Sequence, residues 1–355
     1  MKLQDEERRQ DCVLAGHRNL ALALGVGICM AGPARWKLLT ALWTIYLVWG
    51  STYFAIKISV RTLPAFFSAG TRFLLAGALL ALILAVTGRS MRISRRELLS
   101  SALLGISLLG LGVGGVTLAE TRIDSSTAAM IAGTVPLQVI ALRTLARERV
   151  ALATRLSVFV GLAGLALVVL PGGEGSRSAI GLALAVGASI SWSLGSFFGH
   201  RLPLPRDGFV ATTWEMMGAG AFLLVLGVVG GELGTIDPAG FSLESVAAWL
   251  YLAVFGSLIA FTAYAWLLRN APISKVVTHQ YVNPLVAIIL GAALLDEQLS
   301  LATGLGAALI IGSVFVAVRK EGAKPSAPDV LPASPQSIRE DAPFERDAPR
   351  RSAAR

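Results

Sequence analysis

From residue 38 onward, ten stretches of this sequence run for 16 to 24 residues without one charged side chain, and no other property constrains the fold so tightly. They cover 38–56, 73–88, 98–119, 125–142, 156–173, 178–199, 216–231, 245–268, 276–295 and 299–318. A helix needs about 17 to 25 apolar residues to cross the hydrocarbon layer of a bilayer. The two shortest runs fall short only because Arg72 and Glu215 interrupt them, and extending across each charge restores a full span. A soluble helical protein would need polar outer faces on most helices, and a β-barrel would alternate over about ten residues. Neither pattern is present. The 15% charged content lies well below the roughly 25% of soluble domains. The expectation is an all-α integral membrane protein with ten transmembrane helices.

The connections set orientation. With the N-terminus inside, one set of connections holds Arg35, Lys37, Arg89, Arg92, Arg95, Arg96, Arg147, Arg149, Arg155, Arg201, Arg206, Arg269, Arg319 and Lys320. The other set holds mainly Arg61, Arg122 and Arg177 among acidic residues that include Glu120, Asp124, Glu174, Glu232, Asp237 and Glu244. Basic residues favour the cytoplasmic side, so both termini are expected in the cytoplasm. The net charge of +9 is thereby read as topology and not as a nucleic-acid surface. Cys12 and Cys29 fit neither a disulfide framework nor a metal cluster, and His17, His200 and His279 are too scattered for a metal site.

Residues 274–299, SKVVTHQYVNPLVAIILGAALLDEQL, have an imperfect copy at 125–150, SSTAAMIAGTVPLQVIALRTLARERV. Each carries a proline, Pro284 or Pro136, and a glutamate 13 or 12 positions later, Glu297 or Glu148. Five spans per half is odd, so the second half enters the membrane from the opposite side: two inverted five-helix repeats, the plan of many secondary transporters. The expected division is an N-terminal extension at 1–36, a first repeat at 37–173, a second at 177–320 and a disordered cytoplasmic tail at 321–355. That tail holds six prolines with six basic and six acidic residues. A secretory signal is the weaker reading of residues 1–36, because the start is acidic as well as basic.

Over roughly 38–320 the chain resembles the EamA-domain family of ten-helix permeases in the drug/metabolite transporter superfamily. The resemblance rests on Trp49-Gly50-Ser51-Thr52-Tyr53-Phe54-Ala55-Ile56-Lys57 in helix 1, on Arg72 early in helix 2, and on the proline with a distal glutamate in helices 4 and 9. It implies an inner-membrane carrier of small organic solutes, often an exporter of amino acids or related metabolites, without a cofactor. It does not name the substrate. The sequence offers no Walker-type phosphate loop and no HExxH or serine–histidine–acid arrangement, so neither direct ATP drive nor an enzyme is expected. A lipid-linked sugar or lipid flippase is the competing reading and requires a laterally open, polar-lined cleft. The partners expected are a small-molecule substrate and the phospholipid bilayer; proton coupling and a homodimer are both admitted, and nucleic acid is not.

Trp49 and Tyr53 offer rings to an apolar or cationic solute, against a packing role. Lys57 stands near a helix end as a gate candidate, against snorkelling to the surface. Arg72 and Glu215 lie 143 residues apart, as do Trp49 and Trp192, so the two charges are candidates for pairing across the bundle or for contacting substrate. His279, Gln280, Tyr281 and Asn283 precede Pro284, and Gln138 follows Pro136; both prolines are read as helix bends beside a cavity. Glu148 and Glu297 are candidates for gating or coupling. For proton exchange the titratable candidates are Glu215, His279 and Glu297.

Overall fold

Each charge-free run coincides with one helix of the computed structural model, which describes residues 35–148, 150–169, 178–271, 273–276, 278–297 and 300–322. The helices are α1 Arg35–Ser59, α2 Ala65–Val86, α3 Arg95–Ala119, α4 Ser125–Leu145 and α5 Leu152–Val169. They continue as α6 Ala179–Gly199, α7 Gly208–Val229, α8 Leu243–Leu267, α9 His279–Leu294 and α10 Leu301–Gly322. Seven of them are long and apolar enough to cross a membrane, whereas the apolar parts of α5, α9 and α10 are shorter, at 10–17 residues. For α9 the reason is local: the chain turns at Thr278, and a one-turn helix, Ile273–Val276, precedes it. Of the expected extension at 1–36 and tail at 321–355, residues 35–36 begin α1 and 321–322 end α10, and the remainder, 1–34 and 323–355, lies outside the described residues.

Helix ends follow their capping residues. Ser94 and Glu97 form a reciprocal capping box at the start of α3, the Glu97 amide donating to Ser94 Oγ (3.2 Å) and the Ser94 amide to Glu97 Oε2 (2.7 Å). Asp207 and Ser242 cap α7 and α8 in the same spirit.

The helices pack so that α2 lies against α7 and α5 against α10, while α1 contacts α8 and α9 and α6 contacts α3 and α4. Lipid is as apolar as leucine, so these contacts depend on close fit. Gly164 and Gly306 meet across α5 and α10, where a β-carbon on either would stand 2.8 or 2.7 Å from the other's carbonyl oxygen. On Gly105 of α3 a β-carbon would come within 2.1 Å of the Glu215 carbonyl oxygen of α7. Large apolar side chains such as Trp43, Leu82, Phe159, Ile180, Val225 and Ile289 point away from the bundle. Exposed on this scale they belong against lipid, not water.

Three departures from regular helix lie at the centre of the bundle. α4 is interrupted at Gly133–Thr134 and resumes with Pro136 in the first turn of its second half, where a missing N–H costs nothing. α9 instead runs unbroken through Pro284, so the two prolines, both expected as bends, act differently. A β-carbon on Gly133 would lie 2.8 Å from the Pro284 ring, which sits against the α4 interruption. α3 and α8 each contain an eight-residue π-helical stretch, Ile106–Val113 and Leu252–Ile259. Such stretches recur at functional sites.

Candidate functional site

A cavity of about 120 Å³ occupies the middle of the bundle. A water molecule needs about 10–15 Å³ of such space, so it holds several waters or a compact solute. Its walls come from α1 (Trp49, Thr52, Tyr53, Ile56), from Arg72, from the π-helical stretches at Gly112 and Gly256, from both sides of the α4 interruption, from Ser189 and Trp192, and from His279, Gln280 and Asn283. None of the lining residues belongs to α5, α7 or α10.

Each wall is held by a specific contact. The Trp49 indole donates to the Gly256 carbonyl (3.1 Å) and packs against Phe261, Tyr264 and the His279 ring, with centroids 5.1, 5.1 and 5.2 Å away. On the other side Trp192 packs on Gly112, where a β-carbon would stand 3.0 Å from its ring. Beside it Ser107 and Ser191 exchange hydroxyl-to-carbonyl bonds of 2.9 Å in both directions, tying α3 to α6. His279 Nδ1 donates to the Val276 carbonyl at 2.7 Å, which assigns the Nδ1–H tautomer. The Asn283 amide nitrogen, placed to face its acceptors, donates to the carbonyls of Tyr46 (3.3 Å) and His279 (3.1 Å).

Arg72 is the cavity's charge. It is 4% exposed, stacks over Phe73 at 4.5 Å, and its Nε donates to Ser257 Oγ at 3.2 Å. A guanidinium has five N–H donors, and among the described residues this hydroxyl is the one hydrogen-bond acceptor found for it. The arrangement suits a carboxylate or another planar anion entering the cavity.

One end of the bundle is tied shut over this space. Lys57 Nζ donates to the carbonyls of Glu120 (2.8 Å) and Ile123 (2.7 Å), joining α1 to the α3–α4 connection. Ser125 donates through its amide (2.8 Å) and hydroxyl (2.7 Å), and Ser126 through its amide (3.0 Å), to the Glu297 carboxylate beyond α9. The amides of Phe66 and Phe67 donate to Glu232 at 3.0 and 2.8 Å, so the chain after α7 caps α2. At the opposite end the ties are between side chains: Arg143 and Arg201 with Glu148, at 2.8 and 3.7 Å, and Arg89 with Asp207 at 3.0 Å.

Of the sequence candidates, Trp49, Tyr53, Arg72, Trp192, His279, Gln280 and Asn283 come together on the cavity. Gln138 instead bridges α4 to α6, donating to Thr134 and Ser189 (2.9 and 2.8 Å) and accepting from Ser193 (2.9 Å). Tyr281 turns to Phe315 of α10, edge to face at 5.8 Å. Glu215 lies off the cavity, and among the described residues no ion pair joins it to Arg72. Glu120, expected as a loop charge, is wholly buried at the end of α3. Sequence reasoning missed the two π-helical stretches; the Gly110-to-Gly115 cluster was the one available signal for the first. Among the described residues no cluster of His, Cys, Asp or Glu could hold a metal ion.

The sequence profile of the EamA-like transporter family matches twice, over residues 36–170 and 179–319. The uncharacterized inner membrane transporter YedA of Escherichia coli strain K12 is 38% identical over 293 residues, covering 82% of this chain and 94% of that protein. YoaV of Bacillus subtilis, also described as an uncharacterized transporter, is 23% identical over 286 residues, covering 79% and 96%. A solved crystal structure superposes with a TM-score of 0.55 at 21% identity, covering 81% of this chain and 99% of that one, a likeness of fold alone. The paired family match and the similarity to YedA along nearly its whole length make this chain a member of the EamA-like transporter family, a membrane transporter and not an enzyme.

Proposed function

We propose that this chain is a secondary carrier that moves a small carboxylate-bearing metabolite, an amino acid or a related compound, across the bacterial inner membrane by alternating access, in the direction of export. The observation that carries this reading is Arg72, a buried cation on a central cavity with a single hydroxyl as its described hydrogen-bond acceptor. A buried charge inside a membrane bundle is costly unless it is paired or binds something. The cavity's size matches a compact solute.

The reading takes 37–173 and 177–320 as two inverted repeats. It is supported by how contacts exchange between the halves: α1 meets α8 and α9 as α6 meets α3 and α4, while α2 meets α7 and α5 meets α10. Trp49 donates to the Gly256 carbonyl and Trp192 packs on Gly112, so a tryptophan of each half meets the π-helical stretch of the other. With the basic connections in the cytoplasm, the end tied by Lys57, Glu232 and Glu297 faces outward. Both termini are then cytoplasmic, and switching breaks those ties while the Glu148 end closes. The flippase reading gains little, since a groove of about 550 Å³ between α1, α2, α7 and α8 is lined mostly by apolar residues. Proton coupling belongs to this reading; a homodimer is compatible with it.

The test is an untargeted comparison of metabolites in cells overexpressing the chain and in cells with equal membrane levels of Arg72→Ala. A carboxylate-bearing compound should accumulate outside the first and not the second. Identical profiles would sink the assignment.

A further inference from the structure

The most deeply buried acid of the bundle is one that the cavity does not use. Glu120 is 0% exposed, and among the described residues neither carboxylate oxygen has a hydrogen-bond partner. It stands at the C-terminal end of α3, where the helix already presents partial negative charge. Among the described residues neither nearby cation bonds its carboxylate: Lys57 donates to the main-chain carbonyls of Glu120 and Ile123, and the one acceptor found for Arg72 is Ser257 Oγ. The charged and titratable groups whose fields connect with it are Lys57 and Tyr53 from α1, Arg72 from α2 and Glu297 from beyond α9. A buried ionised carboxylate without donors is among the least favourable arrangements in a protein interior, and a bound proton removes the charge.

The other acids and the histidine considered for coupling are placed differently. Glu297 accepts three hydrogen bonds, His279 uses Nδ1 on Val276, and Glu215 is only half-buried where Glu120 is wholly buried.

We propose that Glu120 is the proton-binding site of this carrier, and that its proton holds the Lys57 end closed. The proposal rests on the carrier reading above. In the closed state the proton sits on a Glu120 carboxyl oxygen and leaves Lys57 to the two carbonyls. When the O–H bond breaks, the proton passes to water and the electron pair stays on the carboxylate. The ammonium of Lys57 then has a charged acceptor, stronger than a neutral carbonyl. Turning to it releases the α3–α4 connection and opens that end.

Two measurements on the purified full-length chain test this without any substrate, so a failed search for the transported compound and a failure of this proposal are separable. In infrared difference spectra at neutral pH, the wild type should show a protonated-carboxyl C=O band that Glu120→Gln lacks; loss of a carboxylate band in its place overturns the proposal. For opening, Ser126→Cys, made with Cys12→Ser and Cys29→Ser, reports on a position 2% exposed beneath the Glu297 tie. Its maleimide labelling rate is measured between about pH 6 and about pH 9, with and without Glu120→Gln. The ratio of the two rates should begin near unity and climb by up to about tenfold per pH unit as Glu120 ionises. A flat ratio overturns it. Because glutamine copies the neutral acid, Glu120→Gln should melt within a few degrees of the parent at neutral pH, and a variant that fails to fold counts against the proposal.

Discussion

Three charged side chains, Lys57, Glu232 and Glu297, bind main-chain groups of a facing element and not an opposite charge. Two of them cap the amides that begin α2 and α4, amides that no intrahelical partner can satisfy. Replacing Glu297 by glutamine keeps the shape and removes the charge assistance, so it should cost about 1–3 kcal/mol, read as a lower unfolding temperature in detergent. A second residue-scale prediction concerns Gly50, where a β-carbon would stand 2.5 Å from Val286 Cβ. Gly50→Ala should destabilise by about 1–3 kcal/mol through overpacking. Val286→Gly, which removes the clashing β-carbon, should recover part of that loss, a coupling measurable by a double-mutant cycle. If the two changes simply add, α1 and α9 do not meet as described.

At the scale of elements, the ten helices are legible because lipid imposes a rule that composition obeys: a span must be apolar throughout and long enough. Arg72 and Glu215 were readable as interruptions for the same reason. The π-helical stretches were not, since a shift in the hydrogen-bond ladder changes main-chain partners and leaves hardly any trace in side-chain type. Glu120 was misread because a charge between two apolar runs looks like a loop, and the folding-in of the α3–α4 connection depends on Lys57, 63 positions away. Pro136 and Pro284 look alike in sequence, yet position within the turn decides whether the chain breaks. The cavity was partly legible: helix 1, Arg72, Trp192 and the helix 9 cluster converge, while Gln138 and Tyr281 serve packing. The glycine contact between α5 and α10 gives a prediction at this scale. Gly164→Leu should separate the two helices and cost more than about 3 kcal/mol, seen as loss of the folded monomer in detergent. Leu305→Ala, at a lipid-facing position of α10, should leave it unchanged within about 0.5 kcal/mol.

For the whole molecule, the proposed orientation rests on the distribution of basic residues and is open to test. With Cys12 and Cys29 replaced by serine, Thr121→Cys should react with an impermeant maleimide added to intact cells, and Ser90→Cys only after the membrane is permeabilised. The reverse pattern would invert the topology. The contact between the α4 interruption and the ring of Pro284 bears on the same scale. In the proposed alternating-access cycle it would serve as a fulcrum. Levers that cross at one point swing most at their tips and least at the crossing, so spin-label distances between α4 and α9 should lengthen at one end when the carrier switches, shorten at the other and barely change beside Gly133.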